Sequence, residues 1–179
     1  TTLSDPGIKD PGNARRYVDS ETIPYIAFPS RLFAVSGGDV SRLGLGVNLG
    51  DYVVVYDIKS GVAIGAFFAD VGPAYKLGEA SIAVAKALSV PSSPKNGGVD
   101  SPTRIAYVVF PTSFTQFQAS PYPQSADLIR TRARQLFATW MRQGDRALSA
   151  EDWANIRNTM STSTPSEGGY IVASEIAQA

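Results

Sequence analysis

The stretch DYVVVYDIKSGVAIGAFFA, residues 51–69, constrains this chain more than any other. DYVVVYDI (51–58) is a β-branched and aromatic run, which fits a pleated, buried surface. KSG (59–61) is a turn, and VAIGAFFA (62–69) is a second strand, so the pattern predicts a β-hairpin. A chain of 179 residues and 19.0 kDa has room for one domain with a real core around that hairpin, and not for two.

Further elements gather round it. TIPYIAFP (22–29) reads as a strand that Pro24 demotes to an edge, or that begins after the proline. RIAYVVFP (104–111) reads as another buried strand. EASIAVAKAL (79–88) has few polar positions and reads as a short, largely buried helix. Ser125 is a good N-cap for a long helix ending near Gly144. Its Leu128, Ile129, Ala133, Leu136, Phe137, Trp140 and Met141 recur on one face, with Arg130, Arg132 and Arg134 largely off it. The fold class expected is mainly β with added helices.

Three regions result. Residues 1–16, rich in Pro, Gly and Asp, read as an extended N-terminal arm; 17–144 form the domain. Residues 145–179 carry a short helix (149–160) and a Ser/Thr-rich flexible tail. Residues 30–50, 91–102 and 112–124 read as loops, the last bearing aromatics between prolines.

Two absences narrow the chemistry. The chain contains no cysteine and no histidine, so there is no thiolate nucleophile, no cysteine-based zinc site and no imidazole base. Acid–base work falls to Asp, Glu, Lys or Tyr. A formal net charge of zero, from 16 basic and 16 acidic residues, argues against a domain that holds nucleic acid electrostatically. No apolar run approaches the ~20 residues that span a bilayer, so no membrane partner is expected. The opening TTLSDPG shows neither a starting methionine nor an apolar leader, so a targeting segment is expected to be absent or removed.

The chemistry-bearing stretch is ADVGPAYKLGEAS (69–81). A strand ends at Asp70, Gly72-Pro73 turns the chain, and Glu79 opens a helix, so both acids can face one cleft. Two carboxylates in unlike surroundings are what glycoside hydrolysis requires. The same residue types have ordinary uses: Glu suits a helix dipole and Asp forms turns.

VDSETIPYIAFP (18–29), GDYVVVYDIKSGVAIGAFFADVGP (50–73) and KLGEASIAVAKAL (76–88) together resemble glycoside hydrolase family 75, the microbial endo-chitosanases. The resemblance runs over roughly 17–140 and includes RIAYVVFP and RARQLFATW. It implies a double-psi β-barrel with added helices, and a secreted, cofactor-free and metal-free enzyme expected as a monomer. The reaction implied is endo-hydrolysis of β-1,4 links in chitosan or a related glycan, with inversion. The family's essential acids map onto Asp70 and Glu79, with Glu79 assigned as general acid and Asp70 as the base that activates water, an assignment that is reversible. Asp19, Ser20 and Glu21 either bind sugar or cap the first strand. Tyr75 and Lys76, between the acids, are further substrate-binding candidates beside ordinary turn roles. Ser81 is expected to bond the helix end. Phe114, Phe117 and Tyr122 are candidate cleft walls, and Asp19, Glu21, Asp51, Asp70 and Glu79 are expected to supply an acidic field for a cationic polymer.

From about 141 onward the chain departs from that family. MRQGDRALSAEDWANIRNTMSTSTPSEGGYIVASEIAQA resembles the N-terminal arm of tailed-phage major capsid proteins. A non-catalytic carbohydrate-binding module or a phage structural component keeping the barrel is therefore the competing expectation.

Overall fold

The computed structural model describes residues 1–29, 47–73, 77–99, 104–116, 124–143 and 170–173. The fold is α+β: a curled sheet with helices against it. In chain order the strands are β1 (Tyr25–Pro29), β2 (Tyr52–Asp57), β3 (Val62–Gly72), β4 (Ile105–Val109) and β5 (Tyr170–Ala173). The helices are α1 (Ile82–Ala87), α2 (Ser113–Gln116) and α3 (Ala126–Gln143). The five-stranded sheet has the order β1-β3-β2-β4-β5.

The expected hairpin is present: β2 and β3 pair antiparallel from Asp57↔Val62 to Tyr52↔Phe67. Its turn closes through the Gly61 N–H on the Asp57 carbonyl, with Gly61 at φ +75°, where glycine costs least. β4 lies antiparallel on the far side of β2, β1 parallel to β3, and β5 parallel to β4. The strand expected over 22–29 begins only at Tyr25, after the proline, as Pro24 demands.

The sheet is buried on both faces, which is why its strands read as continuous apolar runs. On one face Tyr52, Val54, Phe67, Ala69, Val108 and Phe110 pack with Ile129, Ala133 and Leu136 of α3, together with Leu3 and Val18. On the other, Ile26, Phe28, Val53, Val55, Phe68, Tyr107 and Val109 pack with Val84 and Leu88. The Phe28 and Phe68 rings meet edge-on at 4.9 Å. Gly65 sets how closely α3 approaches: a Cβ there would lie 2.8 Å from Arg130 Cα and 2.9 Å from its carbonyl oxygen.

Buried polar groups lock the layers. Asp57, fully buried, accepts from Arg104 Nε (2.9 Å) and Nη2 (2.6 Å), from the Lys59 N–H and from the Ser60 hydroxyl. The Arg104 guanidinium holds its carboxyl below the usual range. Tyr52 Oη donates to Gln124 Oε1 at 2.7 Å and accepts from Arg132 at 3.1 Å, tying β2 to α3.

Several expectations need correcting. The N-terminal arm is not extended. Ser4 bridges Tyr17, the Asp5 N–H reaches the Arg16 carbonyl, Ala14–Arg16 form a 3-10 turn, and Leu3 is buried with its N–H on the Ala69 carbonyl. The segment occupies the flank of β3 that β2 leaves free beyond Tyr52. The α3 face is narrower than its periodicity implied: Ile129, Ala133 and Leu136 are buried, but Leu128 is exposed. Ser125 does cap α3, accepting the Leu128 N–H at 3.2 Å. Within the tail, Tyr170–Ala173 form β5 and belong to the sheet. The helix expected at 149–160 and the tether at 161–169 lie outside the described residues.

Candidate active site

The site is assembled where the pairing of β1 changes. On one side β1 pairs with β3, and the register shifts between Ile26↔Phe68 and Ala27↔Asp70, leaving Ala69 as the extra residue of a bulge. Bulges bend a strand and re-aim its side chains, and are common beside active sites. Asp70 therefore does not end its strand, as the sequence suggested. It sits inside β3 at the bulge, opposite Ala27, and β3 runs on to Gly72.

On its other side β1 meets an extended segment over Glu79–Ser81. The Ala27 N–H donates to the Glu79 carbonyl (2.9 Å), the Ser81 N–H donates to the Tyr25 carbonyl (2.9 Å), and Ile26 bridges Ala80 antiparallel. Glu79 is thus not in the first turn of a helix. The helix begins at Ile82, and Ser81 is its N-cap, accepting the Val84 N–H at 3.3 Å. Ser81 Oγ also accepts the Tyr25 N–H at 3.1 Å, so one hydroxyl fixes both α1 and the edge of β1. This agrees with the structural role expected of Ser81.

Asp70, Ala27 and Glu79 consequently form one row across three chain segments. Two inter-strand spacings separate the acids' backbones by about 9–10 Å. In the row, the methyl group of buried Ala27 stands between them. The floor continues at Gly72, where an added Cβ would lie 3.0 Å from Glu79 Oε2 and 3.5 Å from Ala27 Cβ. The Glu79 side chain thus reaches over Ala27 toward β3. Gly72 is one two-residue repeat beyond Asp70, about 7 Å along β3, so Glu79 reaches β3 beside Gly72 and not directly opposite Asp70. Glu79 is exposed and its side chain makes no hydrogen bond or ion pair among the described residues, whereas Asp70 is half-buried.

Asp70 is held from the N-terminal segment. Its Oδ1 accepts the Thr2 N–H (2.6 Å), the Thr2 hydroxyl (3.0 Å) and the Val71 N–H (3.0 Å). Its Oδ2 has no hydrogen-bond partner among the described residues.

Tyr25, two residues before Ala27 on β1, is the third member. Burial pushes its hydroxyl up to about 12, and the charges of Asp70, Glu79 and Asp19 push the same way. All three acids thus act on one phenol. Buried Tyr107 is raised by burial first and by Glu79 second. Tyr25 and Glu79 also line a cleft of about 960 Å³ that passes Ser81, Leu88 and Tyr107 to the 91–98 loop. That volume is at the upper end for ligand clefts. Glu79 lines it and Asp70 does not, so the row lies only partly along the cleft.

The remaining candidates separate. Asp19 is exposed; its Oδ1 accepts the Glu21 N–H (3.0 Å) and its Oδ2 the Thr22 hydroxyl (2.7 Å), bonds that lower its carboxyl and fix the turn before β1. Glu21 is turned to Lys86 of α1 in an ion pair. Asp51 does not join the acidic field: it is fully buried and accepts the N–H groups of Asn48, Thr112 and Phe114. Burial raises its carboxyl against those donors. Phe114 lies against Gly50, its ring 2.9 Å from where a Cβ would be, and is not among the residues along the cleft. Tyr75, Lys76, Phe117 and Tyr122 lie outside the described residues. Among the described residues no group of three or more acids is placed to hold a metal ion.

Sequence reasoning missed Tyr25, Gly72 and Thr2. A signal existed for the first, whose period-two spacing from Ala27 puts it on the same face. Nothing local marked Thr2. No protein-family model matches this chain, and no curated protein matches it.

Proposed function

We propose that the chain is a glycoside hydrolase that cuts β-1,4 links within chitosan by an inverting, two-carboxylate mechanism. The observation that carries this reading is the row Asp70–Ala27–Glu79, which brings two carboxylates to one face of the sheet, on backbones two inter-strand spacings apart, over a floor of one methyl group and one glycine. Inverting glycosidases need about 6.5–9.5 Å between their carboxyls to admit a water, and retaining ones about 5–5.5 Å.

In this mechanism Asp70 is the base. Its Oδ1 is tied to Thr2 and Val71, so Oδ2, untied among the described residues, orients the attacking water. Glu79, exposed on the cleft and with its carboxylate unpaired among the described residues, protonates the leaving oxygen. As the glycosidic bond breaks, the proton of Glu79 goes to the departing sugar, and the water gives its proton to Asp70 while its oxygen bonds the anomeric carbon from the opposite face. Tyr25, which lines the cleft with Glu79, meets the sugar at the point of cleavage. In this reading the curled sheet is part of a double-psi β-barrel, and the enzyme is a secreted monomer.

The test is reducing-end release from chitosan, with neutral β-1,4-glycans alongside, for the parent, Asp70→Asn and Glu79→Gln. The parent releases ends from chitosan with an inverted anomer, and each variant loses at least about 10³-fold with its fold intact. A parent inactive on every glycan, or a variant retaining full activity, overturns the proposal.

A further inference from the structure

The N-terminal segment reads in sequence as an appendage, yet it supplies two of the three donors on Asp70. Leu3 is buried against Val18 and Phe67 in the core, and its N–H bonds the Ala69 carbonyl at 2.9 Å, which fixes the preceding residue beside the bulge. Thr1 Oγ1 accepts the Val18 N–H at 3.1 Å and donates to the Leu3 carbonyl at 2.7 Å, anchoring the segment a second time. Thr2 is then held over Asp70. Its N–H donates to Oδ1, its hydroxyl donates to the same oxygen, and that hydroxyl accepts the Val71 N–H at 3.0 Å. The Val71 N–H is shared between Thr2 Oγ1 and Asp70 Oδ1.

We infer that Thr2 is a positioning residue for Asp70, acting through the carboxylate and not on the sugar. A carboxylate at a strand bulge has a free χ2 torsion, broad and roughly two-fold. Converging three donors on one oxygen removes that freedom and commits the other oxygen to the open side. The catalytic domain therefore includes residues 1–4. The inference rests on the glycosidase reading and adds to it the element that aims the base.

The experiment compares the parent with Thr2→Val and Thr2→Ser on chitosan, measuring kcat and KM separately, with thermal unfolding of each. Valine keeps the shape and the N–H but removes the hydroxyl, and serine restores it. Thr2→Val lowers kcat about tenfold, since a misplacement of ~1 Å costs up to about 10²-fold. KM and Tm stay near the parent's, because the side chain is exposed, and Thr2→Ser recovers kcat to within about threefold. A Thr2→Val variant with the parent's kcat, or one whose loss is entirely in KM or is not recovered by serine, overturns the role of Thr2 and leaves the glycosidase reading standing. A parent with no activity overturns both.

Discussion

Under the proposed glycosidase reading, Gly72→Ala should separate activity from stability, moving them in opposite directions. The added Cβ falls 3.0 Å from Glu79 Oε2 and 3.5 Å from Ala27 Cβ. Comfortable carbon–oxygen contacts begin near ~3.3–3.6 Å, so the carboxylate must retreat by about 0.3–0.6 Å. It can do so cheaply, being the exposed end of a flexible side chain. If ~1 Å costs up to about 10²-fold, this retreat costs roughly tenfold in kcat, about 1.4 kcal/mol of barrier. Gly72 is not among the residues at positive φ, so alanine meets no backbone strain. Replacing a strand glycine restricts the unfolded chain and stabilises by about 0.4–1 kcal/mol. For a chain of this length that raises Tm by about 1–4 °C.

The assay is kcat on chitosan together with thermal unfolding, repeated in a Glu79→Asp background. Aspartate withdraws the carboxylate before the new methyl can reach it, so the two changes together cost less than the product of their separate effects. An unchanged kcat in Gly72→Ala refutes the berth. So does a loss that comes with a Tm fall of several degrees, because the methyl would then be disturbing the strand and not the carboxylate.

Other consequences are read without a substrate or with a simple one. Gly65→Ala drives a Cβ into the Arg130 backbone at 2.8–2.9 Å, which cannot swing aside, so thermal unfolding should show a loss of about 1–3 kcal/mol with kcat per folded molecule unchanged. Asp57 has its pKa lowered in the fold, so its stabilisation is complete above the ordinary carboxylate range and is lost as pH falls through that range toward the folded value. Denaturant unfolding between pH 7 and pH 2 should show that loss, and Asp57→Ala, which strands Arg104, should remove the acid-side slope along with about 2–3 kcal/mol at neutral pH. Ser81→Ala deletes the acceptor of both the Val84 and the Tyr25 N–H groups, so it should exceed an ordinary cap loss of about 1 kcal/mol and also lower kcat, since Glu79 is two residues away. Spectroscopic titration of the phenols should show Tyr25 ionising near 12 in the parent and lower in Glu79→Gln, with the burial contribution left in place.

The elements were legible where local chemistry decides them. The β-branched runs on either side of KSG could be little but a hairpin, Pro24 delayed β1, and Ser125 capped α3. What the sequence did not carry was set by pairing between distant segments. Glu79 reads as the first residue of a helix because an apolar, alanine-rich run follows it. The edge of β1 offers the competing partner: the Ala27 N–H and the Tyr25 carbonyl draw 79–81 into extended pairing, and the helix waits for Ser81. Asp70 reads as a strand end because Gly-Pro follows, yet β1 and the N-terminal segment carry β3 two residues further. Asp51 and Glu21 read as acids like any others, and only the fold shows one buried under three backbone donors and the other given to Lys86.

These misreadings share a cause that bears on the proposed mechanism. The two acids sit on opposite flanks of one short strand, and each is held by a contact foreign to its own neighbourhood: Asp70 by Thr2, Glu79 through its backbone by Ala27. Had Asp70 ended its strand and Glu79 opened its helix, their spacing would have rested on the eight-residue connection between them, which has a Gly-Pro turn near its start. Pairing both to β1 transfers the spacing to the sheet, whose inter-strand distance varies by only tenths of an ångström. A mechanism that needs a water-sized gap between two carboxyls gains more from that constancy than from any property of the connecting loop. The bulge at Ala69 completes the arrangement, because with a regular ladder Ala69, not Asp70, would stand opposite Ala27, and the acid would face the other side of the sheet.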